Sequence, residues 1–103
     1  MYRIVWEYEV KSDRIAAFVE LYGPTGAWSS LFSGTPAYRG TELYADTARP
    51  NHFVTLDRWT SAAALDAYLP TVQSDYARLD ARGATLTVRE RRLGAFESEE
   101  TDG

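Results

Sequence analysis

The sequence contains no cysteine and one histidine, His52, among its 103 residues. The absence of cysteine excludes disulfide bonds, thiolate metal sites and a cysteine nucleophile. A lone histidine with no cluster of carboxylates beside it argues against both a protein-bound metal ion and a serine–histidine–aspartate triad. We therefore expect no metal site.

Long apolar runs and basic clusters are also missing. No segment approaches the roughly 18 apolar residues that cross a membrane, and the N-terminus lacks the basic and then apolar stretch of a secretory signal. Lys and Arg together number eleven, and they form no patch that would bind nucleic acid or an anionic membrane. These absences predict a cytoplasmic protein with no nucleic-acid and no membrane partner.

The net charge of −4 comes from the end of the chain. Glu97, Glu99, Glu100 and Asp102 are four of the fifteen acidic residues, and without them the acids and bases balance. With 45% hydrophobic and 25% charged residues, the rest has the composition of one globular domain. We expect a single domain over residues 1–96 and an acidic, flexible tail over residues 97–103.

A strand–helix–strand pattern occurs twice in the chain, with an offset of about 50 residues. The offset aligns Ile15 with Leu65 and Phe18 with Tyr68 in the helices, and Ile4 with Val54 and Glu7 with Asp57 in the strands. A β-α-β, β-α-β order predicts an α+β, ferredoxin-like split βαβ fold with a four-stranded antiparallel sheet. The expected strand order is 4-1-3-2.

Local patterns place the individual elements. Alternating side chains predict strands over residues 2–10, 41–46, 52–59 and 85–96. Apolar stripes predict one helix from a cap at Ser12 to about Tyr22, and a second from Thr60 and Ser61 through Asp80. Pro70 interrupts the second stripe, so we expect that helix to break near Leu69.

Residues 23–40 form a long insert between the first helix and the second strand. Trp28, Leu31 and Phe32 lie at helical spacing there, and Thr25 could cap a short helix that carries them. Because this apolar face must pack against something, we expect the insert to cover the open end of the core as a lid.

The central strands predict an assembly as well as a fold. We expect Trp6 and Tyr8 on one face of the sheet and Phe53 and Trp59 on the other. Two helices cover only one face, so an apolar second face would be exposed and would mark an interface. The predicted solution is a homodimer in which two sheets pack face to face.

Several segments together resemble small proteins of the antibiotic biosynthesis monooxygenase superfamily. They are Tyr22-Gly-Pro-Thr-Gly-Ala-Trp28, Leu31-Phe32, Gly40-Thr-Glu-Leu43, Asp57-Arg-Trp59, Tyr76-Ala-Arg-Leu-Asp80 and residues 90–94. The resemblance covers nearly the whole chain up to Phe96. It implies a dimeric α/β barrel. Characterised members include cofactor-independent monooxygenases that oxidise aromatic polyketide phenols to quinones, and haem-degrading enzymes.

The resemblance also implies where a catalytic group would lie. In the quinone-forming members a Trp near the end of the third strand follows an Asn, and a Tyr lies in the next helix. Trp59 matches the Trp, Thr55 occupies the Asn position, and an apolar residue near Leu65 occupies the Tyr position. The catalytic set of those members is therefore not reproduced in full.

Aromatic residues supply most of the candidate ligand contacts. We predict that a flat hydrophobic molecule binds between the helices and the sheet, at Tyr22, Trp28, Phe32, Thr55, Tyr68 and Tyr76. The alternative is that these aromatic residues are only core.

Titratable groups are the remaining candidates. Asp57 and Trp59 are the candidate catalytic residues, and Glu7 aligned beside Asp57 would raise one carboxyl pKa and create a base. The alternative is that these acids pair with Arg58, Arg89 or Arg91. His52 follows a turn, where an exposed histidine is commoner than a base or a haem ligand.

The resemblance and the aromatic insert imply two alternative functions, and we expect no bound cofactor for either. The first is a cofactor-independent monooxygenase that acts on a hydrophobic, polyketide-like aromatic compound. The second is a non-catalytic small-molecule binding protein of the same fold.

Overall fold

A computed structural model of the chain describes residues 1–98. The strands are β1 (Tyr2–Val10), β2 (Tyr38–Ala45), β3 (His52–Trp59) and β4 (Thr87–Glu97). The helices are α1 (Ile15–Tyr22), α2 (Ala27–Phe32), α3 (Ala62–Tyr68) and α4 (Gln73–Ala84), and a 3-10 turn (Leu69–Val72) joins the last two.

The four strands form one antiparallel sheet in the order β2-β3-β1-β4. This order, read from the other edge, is the 4-1-3-2 arrangement expected from the sequence. The ferredoxin-like α+β prediction is therefore confirmed, with all helices packed on one face of the sheet.

The expected distribution of aromatic residues between the two faces is wrong. Tyr8 lies opposite Phe53 and Tyr2 lies opposite Trp59 across the β1–β3 pair. Residues that lie opposite each other share a face, so Trp6, Tyr8, Phe53 and Trp59 all point toward the helices. The other face, called the open face below, has Val5, Val54 and Leu56 along its centre, with charged residues around them.

The register also corrects the internal repeat. Trp6 lies opposite Thr55. The residue numbers of two side chains that share a face, one in β1 and one in β3, therefore differ by an odd number. An offset of 50 relates residues on opposite faces, because successive side chains alternate. The 50-residue offset therefore matches apolar residues along the two helices, but in the two central strands it matches residues that lie on opposite faces of the sheet.

Two predicted helix starts differ from the structure. α1 begins at Ile15 with Arg14 at its N-cap, rather than at Ser12, and α2 begins after Gly26, rather than after Thr25. Neither N-cap residue makes a side-chain capping bond. Both helices are short and lie over the sheet, so tertiary packing sets their starts in place of a capping side chain.

The other two helix predictions are confirmed. The Ser61 side chain accepts a hydrogen bond from the Ala64 backbone N–H at 3.1 Å, which caps α3. At Pro70 the chain makes the 3-10 turn that separates α3 from α4. A proline ring clashes with the preceding helical turn and offers no N–H, so the break follows directly from this residue.

The core consists of two neighbouring clusters under the helices. One is built around Phe18, Leu21 and Tyr22 of α1 with Tyr8 and Val10 of β1. The other contains Phe32, Trp59 and Leu65, and Trp28 packs against both. The insert is therefore integrated into the core.

The last strand differs slightly from its predicted bounds at both ends. β4 begins and ends slightly later than expected, and it runs through Glu97, the first residue of the proposed tail. Ser98 then donates its backbone N–H to the Met1 carbonyl at 3.1 Å. The remaining tail, residues 99–103, lies outside the described residues. Within residues 1–98, no helix has the length and apolar character that a membrane crossing requires.

Candidate functional site

A small pocket lies between the helices and the sheet, and it is called the inner pocket here. Its volume is about 70 Å³. Aromatic rings and carboxyl groups form its wall: Trp6, Tyr8, Tyr22, Trp28, Phe32, Asp57, Tyr76, Asp80 and Glu90. No lysine, arginine or histidine is among these nine residues, so the pocket is aromatic and acidic.

Each helix contributes a defined part of this wall. Tyr22 ends α1, and its ring packs on Tyr8 with centroids 4.8 Å apart. A side chain at Gly83 of α4 would overlap the Tyr22 hydroxyl, so that glycine lets α4 approach closely. From α2, Trp28 meets the Tyr76 ring edge to face at 4.8 Å.

Asp57 enters the pocket from β3 and is held by a chain of hydroxyl groups. Thr41 Oγ1 of β2 donates to Asp57 Oδ1 at 2.5 Å. Tyr38 is hydrogen-bonded to Thr41, and its hydroxyl lies 3.1 Å from Ser29 Oγ. The chain occupies one carboxylate oxygen of Asp57, and among residues 1–98 no side chain is hydrogen-bonded to the other.

Burial shifts the acid–base behaviour of this pocket. It raises the pKa of Asp57, and the Thr41 hydrogen bond opposes part of that change. Burial also raises the pKa of Glu90, with a further contribution from Asp80. Tyr8, Tyr22 and Tyr76 have raised pKa values mainly from burial. The tyrosines thus remain hydroxyl donors, while Asp57 is a more basic carboxylate than an exposed one.

The indole N–H of Trp28 makes no hydrogen bond of good geometry. Its Nε1 atom is buried and meets no well-aligned acceptor within the described part of the chain, although it lies near enough to the Tyr22 hydroxyl to oppose the rise in the pKa of Tyr22. A buried donor without an acceptor is costly, by about 1 to 3 kcal/mol. A ligand that places an oxygen atom against Trp28 would remove this cost.

Of the residues predicted to contact ligand, Tyr22, Trp28, Phe32 and Tyr76 line the inner pocket with Asp57. The other three are placed elsewhere. Trp59 is 1% exposed and packs against Phe32 and Tyr38 at 5.2 and 5.3 Å.

The remaining two predicted contacts are engaged with the protein itself. Thr55 is 3% exposed, and its hydroxyl is hydrogen-bonded to that of Tyr8 at 3.2 Å. Tyr68 donates its hydroxyl to the Leu31 carbonyl at 2.6 Å. All three stay predictions as ligand contacts, but none of them is in the wall of the inner pocket.

The proposed pairing of Glu7 with Asp57 is wrong. Glu7 lies opposite Val54 and Asp57 opposite Ile4, which places the two carboxyl groups on opposite faces of the sheet. Glu7 instead pairs with Arg91 on the open face at 2.8 Å, as the alternative prediction stated. Asp57 has no ion pair within residues 1–98.

His52 also lies on the open face, away from the inner pocket. Its Nδ1 atom is 2.8 Å from the Pro50 carbonyl oxygen, which can only accept, so Nδ1 carries a proton. Its Nε2 atom is 3.9 Å from Glu9. This placement separates His52 from Asp57 and the aromatic wall.

Sequence reasoning missed Trp6, Tyr8, Asp80 and Glu90 of the inner pocket. A local signal existed for the first three: Trp6 and Tyr8 alternate with the charged positions of β1, and Asp80 follows Tyr76 by one helical turn. Glu90 carried no such signal, because its position depends on the register of β4 against β1.

A larger concavity, the outer groove, opens beside the inner pocket. Its volume is about 450 Å³, and it is lined by Asp66, Leu69, Pro70, Gln73 and Tyr76. The break at Pro70 creates it between the end of α3 and the start of α4. Tyr76 is in the wall of both cavities.

The arrangement of the carboxyl groups in the described chain differs from the one that a metal ion needs. Within residues 1–98, no three His, Cys, Asp or Glu side chains are arranged to hold a metal ion.

The sequence profile of the antibiotic biosynthesis monooxygenase family matches residues 1–76. The match spans most of the chain, and the chain belongs to this family. No curated protein sequence matches it.

Solved structures of the same fold extend over almost the whole chain. A variant of SnoaB, a cofactor-independent oxygenase from Streptomyces nogalater, aligns with a TM-score of 0.76 at 17% identity, over 98% of this chain and 95% of that one. An antibiotic biosynthesis monooxygenase aligns at 0.67 with 20% identity, over 97% and 100%. A conserved protein from Methanosarcina mazei Go1 aligns at 0.70 with 16% identity, over 95% and 92%. At these identities the similarity establishes the fold.

Proposed function

We propose that this protein is a cofactor-independent monooxygenase that oxidises a hydrophobic, polyketide-like phenol to a quinone. One observation carries the proposal: Asp57, a half-buried carboxyl group without a basic partner in residues 1–98, lies in an aromatic pocket. Membership of the family supports the reaction class.

A phenolic hydroxyl group fits the polar groups of the inner pocket. It can donate its proton to the Asp57 oxygen that Thr41 leaves free, and it can compete with the Tyr22 hydroxyl for the N–H of Trp28. The raised pKa of Asp57 makes it a better base than an exposed aspartate. Aromatic walls without a cation suit a flat, uncharged ring system.

The overall reaction needs no cofactor, because the phenol supplies all the electrons. The substrate loses two hydrogen atoms and gains one oxygen atom from dioxygen, and the second oxygen atom leaves as water with those two hydrogens. Removal of the phenolic proton by Asp57 yields an electron-rich anion, which can reduce dioxygen directly. Asp57 then returns the proton as water forms.

A homodimer is part of the same proposal. The open face presents Val5, Val54 and Leu56 at its centre, and Tyr44 and Phe96 on that face are 51% and 52% exposed. Arg58, also on that face, has a buried Nε atom with no partner in residues 1–98. A second copy packed sheet to sheet would cover the apolar strip and could supply an acceptor for Arg58.

The test is quinone formation in air from 1-naphthol and anthrone, followed by absorbance. We expect formation to require both protein and dioxygen. Asp57→Asn should lower the rate by about 10² to 10⁴, the usual contribution of a general base, while Asp13→Asn at an exposed position should leave it unchanged. Equal rates in Asp57→Asn and the unaltered protein would contradict the assignment of Asp57.

A non-catalytic binding protein is the second candidate function. The residue at the position of the family's Asn is Thr55, which is buried and bonded to Tyr8 rather than open to the pocket. Binding of 1-naphthol in air without any quinone would favour this function over the oxygenase.

A further inference from the structure

The inner pocket is too small for the ligand that its chemistry suits. An engineered protein cavity of about 150 Å³ binds benzene, and one water molecule takes up about 30 Å³ of liquid. At about 70 Å³, the inner pocket has room for a hydroxyl group or a molecule such as dioxygen. It has no room for a ring system.

The outer groove has the volume that the inner pocket lacks. Its 450 Å³ falls within the range of about 300 to 1,000 Å³ that is usual for small-molecule sites. Leu69, Pro70 and the Tyr76 ring give it apolar walls, and Asp66 and Gln73 add polar groups. These walls match a flat aromatic molecule with few polar substituents.

Tyr76 connects the two cavities. It lines both of them, and its ring rests against Trp28 on the inner side. The groove and the pocket therefore share the Tyr76 side chain as a common wall, and a ligand that extends from one into the other has to pass this side chain.

We propose that the ligand binds in both compartments, with its fused rings in the outer groove and its hydroxyl group past Tyr76 in the inner pocket. The proposal rests on the proposed function, since it takes Asp57 and Trp28 as the partners of that hydroxyl. It assigns Asp66, Leu69, Pro70 and Gln73 as ligand-binding residues for the ring system of that phenol.

The experiment measures binding of 2-naphthol under nitrogen by calorimetry, so that turnover cannot interfere. In Gln73→Trp, a bulky ring fills the groove from an exposed position at the start of α4. Ser74→Trp adds the same ring at the next exposed position, which does not line the groove. We expect about a tenfold or greater loss of affinity in Gln73→Trp, and less than about a twofold change in Ser74→Trp.

Tyr76→Ala tests whether the Tyr76 side chain separates the outer groove from the inner pocket. Removing the ring joins the cavities, so the affinity for phenol, a single ring, should rise severalfold relative to Tyr76→Phe. Equal affinities in these two variants, or equal 2-naphthol affinities in the two tryptophan variants, would overturn the proposal. In the unaltered protein, 2-naphthol should also shift the backbone amide NMR signals of Asp66 and Gln73; unshifted signals at saturation would overturn the proposal even if a variant failed to fold.

The outcomes separate this inference from the proposed reaction. If binding depends on the groove but no quinone forms in air, the two-compartment site is supported and the oxygenase reaction is contradicted. If quinone forms and the KM is unchanged in Gln73→Trp, ligand binding in the groove is contradicted and the oxygenase reaction is supported. Absence of binding of both phenols to the unaltered protein would overturn both.

Discussion

Asp57 is a carboxyl group in a position that costs stability. It lies in an acidic, aromatic pocket. Among residues 1–98, Thr41 is the one side chain that donates a hydrogen bond to it. Tyr8, Tyr76, Asp80 and Glu90 face the same space. Such an ionisable group with a perturbed pKa is typical of functional sites, which is the reason to assign it the proton transfer.

The first prediction is that Asp57→Asn stabilises the protein. Burial raises the pKa of Asp57 in the folded state, so the folded protein favours the protonated carboxyl group. The stability that this protonated group contributes is fully present below the unfolded-state pKa of Asp57, and it is lost as the pH rises through the folded-state pKa. Asn carries no charge and removes that loss. We expect a gain of about 1 kcal/mol at pH 7, measured by urea unfolding, and a smaller gain in acid.

Asp13→Asn is the control, because Asp13 is exposed and should show little change at either pH. Destabilisation by Asp57→Asn at pH 7, or a gain in stability that does not depend on pH, would mean that burial does not set the pKa of Asp57 in the folded state.

The break between α3 and α4 is the element on which the proposed ligand site depends. α3 ends at Tyr68, and the 3-10 turn that follows begins at Leu69 with Pro70 as its second residue. This turn supplies Leu69 and Pro70 to the outer groove. The direction of α3 is set at its other end by the Ser61 cap. Sequence and site are linked here directly, since a proline and a capping serine are local signals with known geometry.

The second prediction concerns this cap. Ser61→Ala should lower stability by about 1 kcal/mol, within the range of about 0.5 to 2 kcal/mol for N-cap serines, because the Ala64 N–H loses its acceptor. Thr60→Ala is the matched control: Thr60 is exposed, and its side chain caps no helix in the described chain. Urea midpoints compare the two, and an equal loss in both would show that the Ser61 bond does not stabilise α3.

At the scale of the whole molecule, all the helices lie on one side of the sheet. The open face is left with a central apolar strip and surrounding ion pairs such as Glu7–Arg91 and Glu9–Arg89. A two-layer domain with one bare sheet face is completed most simply by a second copy of itself, since one two-fold interface buries both faces.

The third prediction is a dimer of twice the 11.6 kDa chain mass at micromolar concentration, measured by light scattering. Leu56→Glu places a charge at the centre of the open face and should shift the mass toward the monomer. Val19→Glu is the control, because Val19 is an exposed apolar residue on α1, on the helix side of the sheet. A monomeric unaltered protein, or the same mass change in both variants, would remove the sheet-to-sheet dimer.

The sequence alone determined the strands, their order and the helix break. Strand alternation, the stripe through Tyr76 and the proline at position 70 are patterns within a few residues of one another, and the elements they predict are the ones observed. Tyr22, Trp28, Phe32 and Tyr76 were predicted as a group for the same reason, because each is an apolar position of a helix that must face the sheet.

Tertiary structure decided which polar groups meet in the pocket. Asp57 was separated from Glu7 by a one-residue difference in register, which moves a side chain to the opposite face. Thr41 reaches Asp57, and Glu90 comes close to Asp80, through strand pairing and helix packing between distant segments. Register and packing emerge from the summed contacts of the whole sheet, and no local sequence pattern encodes them.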